Sequence, residues 1–301
     1  MRLAAGSRIR IVAPSGVVEP ARIEAGAEVL RGWGYDVEID PQAYERFRYV
    51  AGADIARLAA LRRAAHEADA VWMARGGYGL SRLIPELLAQ PLPAVPFIGF
   101  SDGTVLLNHH VGPALHAPVI NGLCGHTDAE SMAHLRAVLA GETPDLVGES
   151  IIAGSATGPI VGGNLCVLAS MVGTASQVRA SGCIVALEEV GEAPYKVDRL
   201  LTQLIQSGGL DGAVGFALGT FTGADAPPGS DWQVLDVLTD HLAPFGVPIV
   251  AGLPFGHGAR NHAFAFGPGA LEGAKLRWTR SADIDGARKQ SSNTPIREHL
   301  L

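Results

Sequence analysis

Ser101 stands in the run Gly99-Phe100-Ser101-Asp102-Gly103-Thr104, which fits the pattern G-x-S-x-G and leaves room for a tight turn on both sides. The apolar residues before it, Val95 to Phe100, read as a short buried strand. After it, Val105, Leu106 and Val111 are spaced as for a helix over 102–110. A serine at such a strand-to-helix turn presents its hydroxyl forward, beside the free N–H groups of the helix start. Two readings follow from this spacing. Ser101 is the nucleophile of an acyl transfer, or it is a helix cap.

A serine hydroxyl attacks a carbonyl only with a base in reach and an acid to orient that base. The chain has ten histidines. His109 and His110 fall within or at the end of the serine helix, at positions that suit packing. His257 lies in Pro254-Phe255-Gly256-His257-Gly258, a glycine-flanked loop after a strand, where the chain can press close to a neighbouring segment. The alternative is an ordinary loop histidine. Glu188, Glu189 and Glu192 end a buried strand that begins at Cys183. Carboxylates in that place either meet solvent or point an acid into a site. The turn Arg75-Gly76-Gly77-Tyr78-Gly79 matches neither a P-loop nor G-x-G-x-x-G. It is a plain turn, or its N–H groups serve as oxyanion donors across from Ser101. H-E-x-x-H and C-x-x-C are both absent and the histidines lack ligand spacing, so metal hydrolysis is disfavoured and no metal or other cofactor is expected.

Strands and helices alternate through the first third of the chain. Strands are expected at 8–13, 37–39, 69–74 and 95–100, and helices at 19–33, 54–66 and 80–88. That rhythm predicts parallel β-α units with sites at the carboxyl ends of the strands, where both the Arg75 turn and Ser101 sit. Residues 127–158 carry one helix and break the rhythm, which reads as a connection between an N-terminal α/β domain (1–126) and a C-terminal domain (159–281). A polar tail is expected over 282–301.

Of 301 residues, 48% are hydrophobic and 18% charged, the composition of a folded protein. A net charge of −7 leaves no basic stripe for phosphates and argues against a nucleic-acid partner. The three cysteines are unpatterned, which favours reduced thiols. The first residues lack a secretory signal, and apolar runs such as Ile184 to Leu187 are too short for a bilayer. A cytoplasmic protein with no membrane partner is expected.

Taken in order, these segments resemble the LD-carboxypeptidase family (muramoyltetrapeptide carboxypeptidases, serine peptidase family S66). The resemblance rests on Ala13-Pro14-Ser15-Gly16, the Arg75 turn, the Ser101 run, Gly162-Gly163-Asn164-Leu165, the block from Leu187 to Arg199, and Pro254 to Gly258. It extends to about Arg280, and the block from Glu188 to Arg199 is its most specific piece. Two departures are His116-Ala117-Pro118 where the family has His-Gly-Pro, and Phe100 where it has Tyr. The resemblance implies a flavodoxin-like or glutaminase-like N-terminal domain and a C-terminal domain with a barrel-like sheet. It further implies a murein peptide substrate, cleaved between an L-centre, usually that of meso-diaminopimelate, and a terminal D-alanine, in peptidoglycan recycling, by a homodimer. Nucleophile, acid and base carry over to Ser101, Glu188 and His257, and strand alternation agrees that Glu188 and Glu189 face opposite ways. The N–H groups of Gly77 and Asp102 are the expected oxyanion donors, and Arg75 and Gly76 the expected substrate contacts. Alternatives are a microcin-immunity peptidase of the same family, a general α/β-hydrolase esterase, and a non-catalytic binder of murein fragments.

Overall fold

The computed structural model describes residues 2–279. The expected tail over 282–301 lies outside the described residues. Five parallel strands build the first sheet: β1 (Arg8–Val12), β2 (Asp36–Ile39), β3 (Ala70–Met73), β4 (Phe97–Gly99) and β5 (Ala114–His116). Their spatial order is 2-1-3-4-5, the doubly wound order whose crevice opens where β1 and β3 lie side by side. Three loops meet there: Pro14-Ser15-Gly16 after β1, Arg75-Gly76-Gly77 after β3, and Ser101 after β4. β3 is buried along its whole length and β1 from its second residue on. β3 is the continuous apolar run of a strand covered by crossover helices on both faces, whereas β1 also buries Arg10, which pairs with Glu38 and Glu67.

The second sheet begins with β6 (Leu146–Val147), β7 (Glu149–Ile152) and β8 (Ser155–Asn164). It continues with β9 (Ile184–Val190), β10 (Gly215–Thr222) and β11 (Ile249–Ala251). β12 (Phe264–Ala265) crosses back to pair antiparallel with β5 of the first sheet, and β13 (Gly267–Glu272) and β14 (Lys275–Trp278) return to the second. β6 and β7 lie at opposite edges of that eight-stranded sheet, yet only Gly148 separates them in the chain. The sheet therefore curls until its edges nearly meet, as a barrel-like sheet must. Gly148 is needed at the seam, since a Cβ there would lie 2.2 Å from the Ala251 carbonyl oxygen.

Alternation along β9 sorts its side chains between two cores. Ile184 and Ala186 join an apolar core that runs unbroken into the first sheet and includes Phe97, Phe255 and Phe264. Val185 and Leu187 face the other way, against the helices at 165–170, 194–206 and 234–242. Among the described residues, no helix is long and apolar enough to cross a membrane.

Three expectations change. The passage 127–158 holds not only a helix (Ala129–Ala140) but also β6, β7 and the start of β8. Its strand signal is hidden by Pro159 and the glycines of β8. Pro159 is tolerated because pairing with β9 begins only at Ile160, so its missing N–H falls outside that ladder. The helix expected over 102–110 is a 3₁₀ turn, Ser101–Gly103, followed by one α turn, Thr104–Leu107. The Asn108 side chain donates to the Thr104 carbonyl at 2.7 Å and closes it off. Ser101 makes no capping bond, which removes the cap reading.

Candidate active site

Ser101 is held at φ +63°, in the left-handed region that a residue with a Cβ rarely occupies. The turn throws its hydroxyl toward the second sheet, where Ser101 Oγ lies 3.0 Å from His257 Nε2. His257 Nδ1 lies 2.6 Å from Glu188 Oε2. A carboxylate only accepts, so Nδ1 carries the proton and Nε2 is free to accept from the serine hydroxyl. Ser101 comes from the end of β4, Glu188 from β9 and His257 from the loop after β11. Glu188 is fully buried and the His257 side chain is 17% exposed, so the pair is largely shielded from water. The order hydroxyl, imidazole, buried carboxylate is that of nucleophile, general base and orienting acid.

Glycine at 256 is dictated by this approach. Its φ is +124°, and a Cβ there would lie 2.4 Å from Thr220 Oγ1 and 3.0 Å from Glu188 Oε2. The loop is fixed by Thr220 N–H on the Phe255 carbonyl (2.8 Å) and by Gly256 N–H on Asn261 Oδ1 (3.2 Å). The Phe100 ring packs on the His257 ring at 4.6 Å between centroids.

Glu189 does not turn to solvent, and neither does Glu188. Glu189 Oε1 accepts from Asn164 Nδ2 (3.1 Å) and Val190 N–H (2.7 Å), and Glu189 Oε2 from Cys166 N–H (2.6 Å). Burial pushes the Glu189 carboxyl above its usual range, against the pull of these donors. The Gly162-Gly163-Asn164 segment ties the two sheets together beside the serine. Asn108 exchanges two bonds of 2.8 Å with Gly162, and Asn164 N–H donates to Thr104 Oγ1 at 3.0 Å. Sequence reading missed Asn108 and Thr104. The signal was there, since both are polar residues at i and i+4 in an otherwise apolar segment.

The Arg75 turn forms the facing wall. Gly76 packs directly on Ser101, and Gly77 takes φ +102°. The N–H groups of Gly77 and Asp102 donate to no other protein group among the described residues. Arg75 lines the cleft, and its Nη1 donates to the Val17 carbonyl at 2.7 Å. Ser101 and His257 open into this cleft of about 460 Å³, along with Asn164, Cys166, Glu189 and Glu192. All three cysteines are free thiols, and burial and the nearby Glu189 push the Cys166 thiol up.

The family model of the LD-carboxypeptidase N-terminal domain matches residues 9–117, and that of the C-terminal domain matches 157–270. The chain belongs to the LD-carboxypeptidase family. It is a hydrolase, a carboxypeptidase of the serine type. A murein tetrapeptide carboxypeptidase of Pseudomonas aeruginosa is 36% identical over 293 residues, covering 90% of this chain and 95% of that protein. Among solved structures, the muramoyltetrapeptide carboxypeptidase of Oxalobacter formigenes superposes with a TM-score of 0.79 at 26% identity, over 91% of this chain and all of that one. The microcin C7 self immunity protein shares the fold, with a TM-score of 0.81 at 18% identity over 93% of this chain and 98% of that one.

Proposed function

We propose that this LD-carboxypeptidase-family member removes the terminal D-alanine from murein tetrapeptides, cutting after an L-centre of the meso-diaminopimelate type. The observation that carries the reading is the hydrogen-bonded line from Ser101 through His257 to buried Glu188, open to a cleft. The relatives named as murein tetrapeptide carboxypeptidases supply the substrate class.

In this reading His257 takes the Ser101 proton as Oγ attacks the scissile carbonyl carbon. Glu188 holds the ring and stabilises the imidazolium. Negative charge forms on the carbonyl oxygen between the N–H groups of Gly77 and Asp102. His257 then gives its proton to the amine of D-alanine, which leaves, and water on the same base releases the shortened peptide. Among the described residues Arg75 is the only lysine or arginine lining the cleft, and it takes the terminal carboxylate. Glu192, just past β9 and paired with Lys196 at 3.0 Å, lines the same cleft and can share its carboxylate with the ammonium of the residue before the cut. The nucleophile belongs to an N-terminal unit built on the first sheet, and acid and base to a C-terminal unit built on the second, which takes in β6, β7 and all of β8 as well as the expected 159–281. A homodimer acting in the cytoplasm on recycled murein completes the proposal, and sedimentation equilibrium tests the dimer.

Mass spectrometry of the purified protein with four compounds tests the function. These are a murein tetrapeptide ending in D-alanine, the same peptide ending in L-alanine, a simple ester, and an aminoacyl sulfamoyl nucleotide. Cleavage of the first alone is expected. Preference for the nucleotide would favour a microcin-immunity peptidase, and turnover of the ester without the tetrapeptide would favour an esterase.

A further inference from the structure

Behind Ser101, Asp102 points its carboxylate away from the cleft into the protein, where it is 3% exposed. Its Oδ2 accepts two hydrogen bonds, from Ser15 Oγ at 2.6 Å and from Leu80 N–H at 2.9 Å. Ser15 belongs to the loop after β1, and Leu80 closes the glycine turn after β3. The two loops also meet each other, with Gly16 N–H donating to the Gly76 carbonyl at 3.0 Å. From the far side the fully buried Arg57 guanidinium donates to the Pro14 carbonyl and, at 2.9 Å, to the Gly79 carbonyl. The bonds to Asp102 and from Gly16 to Gly76 join the nucleophile turn, the Ser15 loop and the glycine turn directly, and Arg57 ties the last two to the helix Asp54–Glu67.

The Ser101 reading, on which this inference rests, leaves that buried carboxylate without a task. We propose that Asp102, through Ser15 and Leu80, is a positioning residue that fixes the Gly76-Gly77 turn against Ser101 and so sets the oxyanion site. Three facts converge on this. The carboxylate is adjacent in sequence to the nucleophile, so its anchoring also holds the left-handed turn at Ser101. Gly76 and Ser101 are in direct contact, which means any drift of the glycine turn is felt at the hydroxyl. A buried carboxylate is costly unless it is bonded, and desolvation pushes the Asp102 carboxyl up, so a group kept there for shape alone is more cheaply an apolar one. The arrangement supplies rigidity where the reaction requires a fixed distance between attacking oxygen and amide donors.

The test compares Ser15→Ala, Asp102→Ala and Asp102→Asn with wild type and with Ser101→Ala. Each folded variant is measured for kcat and KM on the tetrapeptide, for the affinity of the tripeptide product by calorimetry, and for the rate of phosphonylation of Ser101 by a fluorophosphonate. If Asp102 positions the oxyanion site, Asp102→Ala lowers kcat by about a hundredfold, the scale of a 1 Å misplacement. Phosphonylation falls in step, while KM and tripeptide affinity stay within about threefold, well short of the tenfold that 1.4 kcal/mol represents. Asp102→Asn, whose amide oxygen can accept the same two bonds, regains at least about tenfold of that loss in kcat, and Ser15→Ala falls between the two. Should Asp102→Ala fail to fold, Ser15→Ala decides alone, since it deletes one bond and little volume. Wild-type kcat in Ser15→Ala would overturn the proposal, as would a loss of tripeptide affinity parallel to the loss of kcat, which marks general collapse of the cleft. Turnover by Ser101→Ala would instead refute the functional reading itself.

Discussion

Replacing Gly76 by alanine probes the active site with one methyl group. Gly76 has no positive φ, so its backbone accepts alanine without strain. The new Cβ, however, would lie 2.7 Å from Ser101 Oγ and 2.7 Å from Ser101 Cβ, with the Asp102 amide nitrogen at 3.5 Å. Non-bonded heavy atoms prefer about 3.5–4.0 Å, so the methyl and the serine must part by roughly 1 Å. The serine is bonded to His257 at 3.0 Å and cannot yield that much without leaving the base. A misplacement of that size costs about a hundredfold in rate, or about 2.7 kcal/mol of transition-state stabilisation. D-alanine release from tetrapeptide, followed at saturating substrate, gives kcat, and a thermal melt checks the fold. Gly32→Ala serves as control, because its Cβ meets nothing within 4 Å and its φ is not positive. Wild-type kcat in a folded Gly76→Ala protein would refute the argument that this turn sits against the nucleophile.

Three further outcomes are expected. Glu188→Gln keeps the fold but lowers kcat on the order of 10⁴-fold, because an amide no longer enforces the His257 tautomer; retention of more than a tenth of the activity speaks against Glu188 as orienting acid. Gly256→Ala forces φ +124° on a residue with a Cβ and crowds Thr220, so urea unfolding should show a loss of about 1–3 kcal/mol as well as slower turnover. His116 is fully buried, stacked on Phe264 at 4.8 Å with Phe100 and Phe255 edge-on at 5.5 Å, and burial, followed by the nearby His257, pushes its pKa down to about 3. Below the usual 6.5 the unfolded chain takes up a proton that the folded one refuses, so stability falls as pH drops from 6.5 toward about 3, by up to about 1.4 kcal/mol per unit. His116→Phe should flatten that part of the stability–pH curve, and an unchanged slope assigns it to other groups.

Much of the first sheet was legible because β3 and β4 are short apolar runs, β1 and β2 carry β-branched residues beside glycine or proline turns, and helices of clear period separate them. β5 was not, since three residues, Ala114 to His116, carry too little pattern to register. β8 was hidden by its own composition, and β6 and β7 by their shortness, so the barrel-like closure through Gly148 could not be read from spacing. Ser101, Glu188 and His257 were each visible as chemistry at the end of a strong apolar strand. Their mutual distances were not, because they depend on how β9 and β11 lie across from β4. Alternation separated Glu188 from Glu189, but both proved buried, Glu189 through three donors that only the fold assembles. The Asp102 side chain escaped notice for a similar reason. Its partners, Ser15 and Leu80, lie 87 and 22 residues away in the chain.

Stoichiometric labelling with a fluorophosphonate tests the central claim, that Ser101 is the nucleophile acting with His257. One adduct per chain is predicted, located on Ser101 by peptide mass mapping, with D-alanine release falling in proportion to labelling and the reaction strongly slowed in His257→Gln. Full tetrapeptide turnover by protein whose Ser101 is completely labelled would contradict it.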